Sequence, residues 1–567
     1  MERKLSRRHL NRAGLAAGVV AGSLAVAGPA FAQNAATPTD DTGLSTGTPA
    51  ATPEAAGPAI PPEISDVETN WAVEGGNLHQ TREAKGSNIS SETVADLGYA
   101  WSMPVSVSAP FGSLTGNPIV AGDILYIQDA KSNIYAVDKT TGESRWTNTY
   151  NDDVPSGGPN GIAVGYGLAV FPLGGAGDVV AVKADTGEEV WRTNIRGPLG
   201  EGITMAPLIY DNTVYVSTIP GSPDEFYKGG QRGFIYALDA RDGHVVWYFD
   251  TTTDNLWGNG RVNSGGGLWH PPAVDADGNL YVGIANAAPF PGTKEFPGAS
   301  SRPGDNDYAN ALMRINPDTA GYDWYINLKP HDLFDHDNQL SPILATITID
   351  GTETPVVFSS GKHGFVVAAN SETGEELWRT PVGEHNENEF LSELGADEEI
   401  TVIPGFIGGV ETPIAFANGV IFAPVLNVPF TVNGVEGTGD IFGGTSELVA
   451  LDGATGEILW STPVPTMVLG GATIANDIVF TGGLDGLVRG FRVDDGTQIF
   501  AYQAAAGINT SFAISGDFLY VPAGAPLVPS PDSIDTGAEP ATELIALKLG
   551  GEVRAAPGSS PEASPAS

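Results

Sequence analysis

The sequence predicts an all-β fold, an eight-bladed β-propeller whose blades are four-stranded antiparallel sheets. The first observation is a repeated motif, Ala-x-Asp-x-x-Thr-Gly-x-x-x-Trp, which is complete at residues 136–146 and again at residues 450–460. Each copy has an apolar strand, an Asp/Thr/Gly turn and a second strand that ends on an aromatic residue, as in a β-hairpin. Because one hairpin cannot bury its own apolar face, the repeats are expected to stack radially.

The second observation is the spacing of the aromatic residues that end the repeats. The steps from Trp101 to Trp146 and on to Trp191 match the roughly 40 to 45 residues of a four-stranded blade. Longer steps elsewhere indicate insertions. Counting Trp101, which closes a first strand with the sequence LGYAW, the eight anchors are Trp101, Trp146, Trp191, Trp247, Trp324, Trp378, Trp460 and Phe500.

Composition is the third observation. The chain has 567 residues with 74 glycines and 42 prolines, and only 17% of its residues are charged, as is typical of a turn-dense β protein rather than a helical one. The net charge of -41 argues against nucleic acid or an anionic membrane as a partner, because phosphate binding needs clustered Lys and Arg.

The N-terminal segment, residues 1–32, has the pattern of an export signal. Arg7-Arg8, an apolar stretch from Ala13 and the small-residue site Ala30-Phe31-Ala32 predict export by the twin-arginine route. An uncleaved anchor at residues 13–32 is the alternative, since this stretch is long enough to span a membrane. We therefore expect an exported protein, located in the periplasm, at the cell surface or outside the cell.

The remaining chain is predicted to contain one folded domain between two disordered segments. Residues 33–67 are rich in Pro, Thr and Ala, and residues 553–567 have a similar composition, which predicts a disordered linker and a disordered tail. Residues 68–552 are left for the propeller. The chain has no cysteine, so we expect no disulfide, no thiolate metal site and no covalent haem.

Polar residues that a plain blade does not need are concentrated around the insertion between Trp247 and Trp324. They fall in three segments. These are residues 264–270 (SGGGLWH), residues 283–306, which end in RPGDN, and residues 329–338 (KPHDLFDHDN).

Two of these motifs carry a resemblance to a known family. Arg-Pro-Gly-Asp-Asn at 302–306 and Pro-His-Asp-x-x-Asp at 330–335 resemble segments of the quinoprotein alcohol dehydrogenases. The resemblance runs from Asn70-Trp71 to Gly507-Ile508-Asn509. Members of that family carry pyrroloquinoline quinone (PQQ) at the axis of an eight-bladed propeller. The resemblance thus implies oxidation of a primary alcohol or aldehyde by hydride transfer to a metal-bound quinone.

The resemblance also implies roles for individual residues. Asp335, the last residue of the second motif, corresponds to the catalytic base. The metal-binding positions of the family fall on Asp335 and Asn286. A third falls on Glu225, although the segment around it is longer here than in the family. The quinone contacts fall on Trp269, Lys362 and Thr204.

These residue types suit the implied chemistry. A hard cation prefers oxygen ligands and, as a Lewis acid, draws electron density from a carbonyl. Beside such a cation Asp335 is expected to stay ionised at neutral pH and to accept the alcohol proton. Lys362 balances negative charge that develops on the quinone, and Trp269 offers a flat apolar face to a planar cofactor.

Asp337, two positions after the implied base, bears on the identity of the metal. An Asp here resembles the lanthanide-dependent branch of the family, whereas calcium-dependent members have a small or neutral residue. A further carboxylate suits a trivalent ion, because attraction scales with the product of the charges. The alternative is that Asp337 only caps a turn. The implied cofactors are therefore PQQ with a lanthanide ion or Ca²⁺.

The chain departs from the family at several positions. A disulfide of adjacent cysteines that commonly covers one quinone face falls on Ser156-Gly157-Gly158, so this face is expected to be open or covered by backbone. An arginine, a glutamate and an asparagine of the family fall on Asn160, Thr115 and Glu411. These losses mostly concern contacts to the quinone carboxylates.

Two further polar residues near the motifs have structural interpretations. His331 is expected to make structural hydrogen bonds, since hard ions prefer oxygen ligands. Asp305 is expected to fix a loop through backbone hydrogen bonds.

Two classes of function remain open. The first is a PQQ-dependent alcohol dehydrogenase that acts on a small alcohol or aldehyde and passes electrons to an external soluble acceptor, since no haem can be attached. The second is a non-catalytic propeller that serves as a binding or assembly scaffold. Retention of Asp335, Asn286 and Lys362 favours the enzyme, because a scaffold has no need of this trio.

Overall fold

The computed structural model describes residues 59–197, 199–220, 228–253, 255–440, 442–537, 539 and 541–552. The export signal at residues 1–32, the tail at residues 553–567 and the predicted ligand Glu225 lie outside this set. Within it, no helix has both the length and the apolar character needed to cross a membrane. The alternative anchor at residues 13–32 falls outside the described residues.

The described chain is built almost entirely of short strands. Its one α-helix is α1 (Pro62–Ser65), and 3₁₀ turns lie at Val94–Asp96, Leu256–Gly258, Pro297–Ala299 and Glu387–Phe390. The first half contains β1 (Glu83–Ala84), β2 (Leu97–Pro104), β3 (Ile119–Ala121), β4 (Ile124–Gln128), β5 (Ile134–Asp138), β6 (Ser144–Asn148), β7 (Ala163–Gly165), β8 (Leu168–Leu173), β9 (Asp178–Lys183), β10 (Glu189–Asn194), β11 (Leu208–Tyr210), β12 (Thr213–Ser217), β13 (Phe234–Asp239), β14 (Val245–Asp250), β15 (Ser264–Gly265), β16 (Ala273–Val274), β17 (Leu280–Gly283), β18 (Ala287–Ala288), β19 (Ala311–Asn316) and β20 (Gly321–Asn327).

The second half continues the same pattern. It contains β21 (Ile343–Ile349), β22 (Thr352–Ser360), β23 (Phe365–Asn370), β24 (Glu376–Pro381), β25 (Ile400–Val402), β26 (Ala415–Ala417), β27 (Val420–Asn427), β28 (Phe430–Val432), β29 (Gly437–Thr438), β30 (Thr445–Asp452), β31 (Ile458–Val464), β32 (Gly470–Ala475), β33 (Ile478–Gly482), β34 (Leu487–Arg492), β35 (Gln498–Gln503), β36 (Gly507–Ile508), β37 (Ala513–Ser515), β38 (Phe518–Ala525) and β39 (Glu543–Leu549).

These strands form eight blades. The first three are β3–β6, β7–β10 and β11–β14. The next three are β16-β17-β19-β20, β21–β24 and β26-β27-β30-β31. The seventh is β32–β35, on which β1 adds a parallel strand, and the eighth joins β2 to β39, β38 and β37. Apart from β1, every pairing within the blades is antiparallel, which confirms the predicted all-β, eight-bladed propeller.

The ring closes between the two ends of the folded chain. Inner strands of most neighbouring blades contact one another, as β3 does with β7 and β26 with β32, and the inner strand β37 of the last blade contacts β3 of the first. The outer strand of that last blade is β2, in which Trp101 lies opposite Ala546 of β39. The LGYAW segment therefore completes the eighth blade rather than opening the first, and this pairing ties the start of the domain to its end.

The repeat motif has a direct structural reason. Asp138 ends a strand, and its Oδ1 accepts hydrogen bonds from the backbone N–H groups of Thr140 and Thr141, both at 3.0 Å. Gly142 then takes φ +73°, and a Cβ there would lie 2.6 Å from Cε3 of Trp101 in the neighbouring blade. Glycine is needed because it permits both the left-handed backbone and the close approach of the indole.

The same indole also ties adjacent blades together. Trp101 Nε1 donates to the carbonyl of Lys139 in the next blade at 3.2 Å. Equivalent bonds run from Trp146 to Ala184, Trp191 to Ala240, Trp324 to Ser371, Trp378 to Gly453 and Trp460 to Val493. The repeat in the sequence is thus a repeat of one contact between blades.

Residues 59–67, which the sequence assigns to the linker, are part of the described structure. There α1 buries Ile64, and the carboxylate of Glu63 accepts hydrogen bonds from the backbone N–H groups of Tyr166 and Gly167 at 3.0 and 2.8 Å. The domain boundaries otherwise stay a prediction.

Two small sheets lie outside the blades. β25, β28 and β29 form one of them, within the insertions that follow residue 383. β15 pairs with β18 in the other, with Gly265 opposite Ala287. This second pairing brings the glycine run and the Asn286 segment side by side, and it is where the candidate site begins.

Candidate functional site

The glycine run fixes the first wall of the site. Gly266 N–H donates to the carbonyl of Asn286 at 3.0 Å, and Ala285 N–H donates to the carbonyl of Gly267 at 3.0 Å. A Cβ on Gly265 would lie 2.7 Å from the Asn286 carbonyl oxygen. Any larger residue would push the two segments apart, so the glycines are needed to position Asn286.

The loop at residues 329–338 forms the second wall and is held by Asp332. One carboxylate oxygen of Asp332 accepts from Phe334 N–H at 3.0 Å and the other from His336 N–H at 2.9 Å. Burial favours protonation of Asp332, but Lys329, His336 and the Phe334 N–H outweigh it and lower its pKa to about 2. Between these bonds Asp335 takes φ +60°, a left-handed conformation that a non-glycine residue adopts only when its surroundings impose it.

The third wall is the turn at Gly361-Lys362. Lys362 N–H donates to the carbonyl of Asp337 at 2.9 Å. A Cβ on Gly361 would clash with the same carbonyl oxygen. The backbone of this turn therefore lies directly against the loop that carries Asp335 and Asp337.

These three segments bring four of the predicted residues together. Asn286 donates from Nδ2 to Oδ1 of Asp335 at 2.8 Å and from its backbone N–H to Oδ1 of Asp337 at 2.6 Å. Lys362 Nζ lies 2.9 Å from Oδ2 of Asp335 and 2.8 Å from Oδ2 of Asp337. Each carboxylate thus has one oxygen towards Asn286 and one towards the ammonium group.

Among the described residues, this cluster and its surroundings hold more carboxyl groups than ammonium groups. Asp335, Asp337 and nearby Glu411 are three carboxylates, and Lys362 is the ammonium group that pairs with the first two. Burial raises the pKa of Asp335 well above its ordinary value; Lys362 opposes the shift and Asp337 adds to it. Burial likewise raises the pKa of Glu411 to about 7, with Lys362 opposing and Asp337 adding.

Asn286 supplies a second observation that fits a bound cation. Its side chain is 1% exposed, and its Oδ1 has no hydrogen-bond partner among the described residues. A buried amide oxygen without a partner is costly. Rotating the amide by half a turn would direct this oxygen at Asp335, where a bound cation or the proton favoured by the raised pKa of Asp335 would have to lie between the two oxygens. The donor set therefore fits a hard cation with carboxylate and amide ligands.

The predicted quinone contacts lie at a second, adjoining surface. Trp269 is only partly buried, whereas its neighbours Leu268 and His270 are buried. A Cβ on Gly158 would lie 2.5 Å from Cζ3 of Trp269 and 3.7 Å from Oγ1 of Thr204. The hydroxyl of Thr204 is buried and has no hydrogen-bond partner within the described residues. The flat indole and the unused hydroxyl suit a planar polar cofactor. Because the backbone of Gly158 already lies against the indole, this loop would have to shift for a ring to stack between them.

Positions at which the chain departs from the family have local roles instead. Thr115 donates from Oγ1 to Oδ1 of Asn160 at 3.1 Å, and Asn160 Nδ2 donates to the carbonyl of Asp129 at 2.9 Å. These two side chains satisfy each other inside the fold. In the segment that falls on the family's disulfide, the backbone of Gly158 lies against Trp269. The expectation that this segment leaves one quinone face open or covers it with backbone stays a prediction.

The two residues given structural interpretations differ in their environment. His331 Nδ1 lies 2.8 Å from the carbonyl of Gly304, a contact in which the ring donates a hydrogen bond. Asp305 is exposed. The loop-fixing role expected of it is performed by Asp332 in the neighbouring motif.

Sequence reasoning missed the residues that support the site from behind. His336 Nε2 lies 2.9 Å from the carbonyl of Pro404, and its Nδ1 faces the ammonium of Lys329. Burial and then Lys329 lower the pKa of His336 to about 3, so this imidazole stays neutral. Its position between Asp335 and Asp337 in the sequence was the one available signal.

A buried ionic group stands behind Trp269 in the same way. Oε1 of Glu74 lies 2.7 Å from Nδ1 of His270 and 2.9 Å from Nη2 of Arg82. All three side chains are buried. The group fixes the residue next to Trp269 in the chain and so restricts the orientation of the indole.

Comparison with known protein families shows the family to which this chain belongs. Residues 71–174 and 197–386, together more than half of the chain, match the family described as "PQQ: Glucose/ethanol/alcohol dehydrogenase, beta-propeller domain". The chain belongs to this PQQ dehydrogenase family. Residues 427–528 match a second family, described as "Outer membrane protein assembly factor BamB". The main match includes Trp269, Asn286, Asp335, Asp337 and Lys362.

Individual relatives of the PQQ dehydrogenase family agree with this assignment. A putative dehydrogenase XoxF of Paracoccus denitrificans is 27% identical over 521 residues, covering 77% of this chain and 83% of that protein. A lanthanide-dependent methanol dehydrogenase of Methylacidiphilum fumariolicum (strain SolV) is 25% identical, covering 77% and 81%. The solved structure titled "Europium-containing methanol dehydrogenase" superposes with a TM-score of 0.70 at 21% identity, covering 86% of this chain and 99% of that one. This last likeness supports the fold.

One prediction is corrected by the relatives of this chain. It was that the chain carries no covalent haem and passes electrons to an external soluble acceptor. A relative from Pseudomonas putida, 25% identical over 565 residues and covering 86% of this chain and 77% of that protein, is named "Quinohemoprotein alcohol dehydrogenase ADH-IIG". Haem is therefore present among relatives of this chain, and the prediction was wrong to treat it as excluded. The lack of cysteine bears on thioether attachment and does not identify the electron acceptor, so we assign none.

Proposed function

We propose that this chain oxidises a primary alcohol or aldehyde with PQQ held beside a bound cation, with Asp335 as the base. The observation that carries the proposal is the cluster of Asn286, Asp335, Asp337 and Lys362, in which partly neutralised carboxylates and an unused amide oxygen meet. When bound, the quinone supplies a two-electron acceptor for the hydride, and the cation supplies a Lewis acid. Substrate alcohol loses one hydride and one proton and becomes the aldehyde.

Asp335 is the group that takes the proton. Its side chain is 14% exposed, whereas that of Asp337 is 1% exposed, so of the two carboxylates Asp335 is the one a substrate can reach. Its raised pKa would keep it protonated and inactive as a base near neutral pH. A cation among the same oxygens lowers that pKa and leaves the carboxylate free to accept a proton.

Lys362 has two tasks in this mechanism. Its ammonium group holds both carboxylates in place through the two ion pairs. As a fixed positive charge, it also stabilises negative charge that develops beside it during the reaction. Trp269 and Thr204 orient the planar cofactor, the first through its flat face and the second through its hydroxyl.

The cation of this site is proposed to be a lanthanide rather than Ca²⁺. Asp337 adds a buried carboxylate to the pair formed by Asn286 and Asp335, and Glu225 is proposed as a further ligand. The excess of negative charge favours a trivalent ion. A relative named as a lanthanide-dependent methanol dehydrogenase supports the same choice.

The protein is further proposed to be exported by the twin-arginine route. The arginine pair Arg7-Arg8 and the small-residue site before Gln33 support this.

The decisive experiment is dye-linked oxidation of ethanol by the purified chain. It is given PQQ together with La³⁺, with Ca²⁺ or with neither. We expect turnover with La³⁺, and none in Asp335→Asn, which keeps the shape of the side chain but cannot accept the proton. Asp305→Asn, an exposed residue of the adjacent motif, is the matched control and should keep full activity. Turnover with neither ion over a range of small alcohols and aldehydes would favour the scaffold interpretation.

A further inference from the structure

Glu411 lies on a segment that packs directly against the cation cluster. Val410 N–H donates to the carbonyl of Gly361 at 3.0 Å. Gly409 has φ +64°, and a Cβ there would clash with the carbonyl oxygen of Lys362. Gly409 and Val410, directly before Glu411, thus lie backbone to backbone with the turn that carries Lys362, and this turn lies against Asp337.

The backbone of this segment is also fixed from the other side. Gln339, two residues after Asp337, donates from Nε2 to the carbonyls of Val410 and Glu411 at 3.3 and 3.1 Å. The side chain of Gln339 is buried. The position of Glu411 relative to the cluster is therefore determined by several hydrogen bonds rather than by its own side chain.

The carboxylate of Glu411 lacks the partner that a purely structural role would give it. Its Oε2 is buried and makes no hydrogen bond to any residue that the structure describes. The backbone just before this residue packs against the turn that carries Lys362, so the unpaired oxygen belongs to a side chain that starts beside the cluster. A buried carboxylate oxygen is stable only with a donor or a cation beside it.

A second buried oxygen faces the same need. Oδ1 of Asn286, at 1% exposure, is also without a partner in the described part of the chain. Asn286 bonds to Asp335 and Asp337, and both of those pair with Lys362. One cation in this cluster would satisfy unpaired oxygens that come from separate segments of the chain.

We propose that Glu411 is an additional carboxylate of the cation site and that it increases the preference of the site for a trivalent over a divalent ion. The inference rests on the proposed function and adds a residue that the family resemblance places at an asparagine position. An added negative charge attracts a trivalent ion more strongly than a divalent ion of similar radius, in the ratio of their charges.

The test is isothermal titration calorimetry of the full chain, saturated with PQQ, using La³⁺ and Ca²⁺. Glu411→Gln removes the charge and keeps the size of the side chain. We expect the affinity for La³⁺ to fall by about 100-fold and that for Ca²⁺ by about 20-fold, because the loss scales with the charge of the ion. Glu436→Gln removes the same charge from an exposed position and should change neither affinity.

A second variant keeps the test informative if Glu411→Gln does not fold. Glu411→Asp retains the charge on a shorter side chain and should bind La³⁺ more weakly than the wild-type protein, with a smaller loss than removal of the charge causes. Wild-type affinity for both ions in these variants would overturn the inference. So would a fall in PQQ affinity with cation affinity unchanged, which would assign Glu411 to the quinone.

The proposed function is judged separately. Alcohol oxidation by the wild-type protein with unaltered cation binding in Glu411→Gln would overturn the inference alone. Failure of the wild-type protein to bind either ion would overturn both the inference and the metal part of the proposed function.

Discussion

Lys362 and Asp337 form a buried ion pair, with Nζ 2.8 Å from Oδ2 and the Asp337 side chain only 1% exposed. The same Nζ of Lys362 also lies 2.9 Å from Oδ2 of Asp335. In the absence of a metal ion this ammonium group is the charge that holds the two neighbouring carboxyl groups together.

Replacing Lys362 by Met should therefore destabilise the cation-free protein. Asp335 and Asp337 would be left in a poorly solvated site, and breaking a buried pair typically costs about 3 to 5 kcal/mol. Urea unfolding in the presence of EDTA measures this loss, and saturating La³⁺ should restore most of it. Lys85→Met, at an exposed position, should leave the free energy of unfolding within about 0.5 kcal/mol of the wild-type value. Equal stability of the two variants would contradict the assigned role.

Asp337→Ala should abolish alcohol oxidation supported by La³⁺. The change removes a carboxylate from the proposed metal ligands and also the acceptor of the Asn286 backbone N–H. Asp337→Asn keeps an acceptor oxygen but not the charge. Its loss of turnover therefore measures the contribution of the charge alone. Steady-state kinetics with La³⁺ and with Ca²⁺ measure both variants. Unchanged turnover in Asp337→Ala would remove this residue from the metal site.

Gly158→Ala should weaken PQQ binding at least tenfold while leaving the fold intact. The added Cβ would lie 2.5 Å from Cζ3 of Trp269, and the indole would have to move by about 1 Å to regain ordinary contact, enough to lose productive alignment. Quenching of tryptophan fluorescence by added PQQ gives the affinity. Gly157→Ala is the matched control, since a Cβ there meets nothing within 4 Å. Similar affinities in the two variants would argue against Trp269 as the cofactor platform.

The insertion at residues 383–408 should open at alkaline pH because of His385. Its Nδ1 lies 2.9 Å from Oε2 of Glu389, and its Nε2 lies 3.1 Å from the carbonyls of Gly364 and Val382. Both ring nitrogens face acceptors, so the protonated ring fits best. Burial opposes that charge, but Glu389 and the two carbonyls raise the pKa of His385 above its ordinary value.

The sign of this effect follows from that shift. Because the folded pKa exceeds the unfolded value of about 6.5, the stabilisation is complete below pH 6.5 and is lost as the pH rises through the folded pKa. Hydrogen exchange of residues 383–408, corrected for the intrinsic rate, should show increasing local opening above neutrality. His385→Gln should have a flat profile. A parallel pH dependence in the variant would assign the opening to another group.

The sequence predicted those parts of the molecule that depend on one repeated contact or on one contiguous motif. The blades could be predicted because each Trp packs against a Gly in the turn of the neighbouring blade, as Trp146 does against Gly187. Asp335 and Asp337 were visible because they share a ten-residue segment. The pairing of β2 with β39 was not, since its partners lie at opposite ends of the domain and no local signal links them.

The supporting contacts of the site were hidden for the same reason. His336 bonds to Pro404, and the segment before Glu411 packs against the turn of Lys362 through Gly409 and Val410. Each depends on how separate blades are oriented about the axis. A pattern of residue types along the chain carries no information on these distances, whereas the stacking of blades determines them.

The contact between Trp and Gly in the repeat should contribute to stability, and this can be tested by comparing Gly456, which makes the contact, with Gly419, which does not. Both have left-handed backbones, with φ +73° and +82°, so Ala at either position should cost about 1 to 2 kcal/mol in strain. A Cβ on Gly456 would also lie 2.5 Å from Cε3 of Trp378, whereas one on Gly419 meets nothing within 4 Å. Gly456→Ala should lose about 1 to 3 kcal/mol more than Gly419→Ala, the usual range for overpacking, as measured by urea unfolding. Equal losses would mean that backbone strain alone, and not the docking of the indole, makes glycine necessary in the repeat.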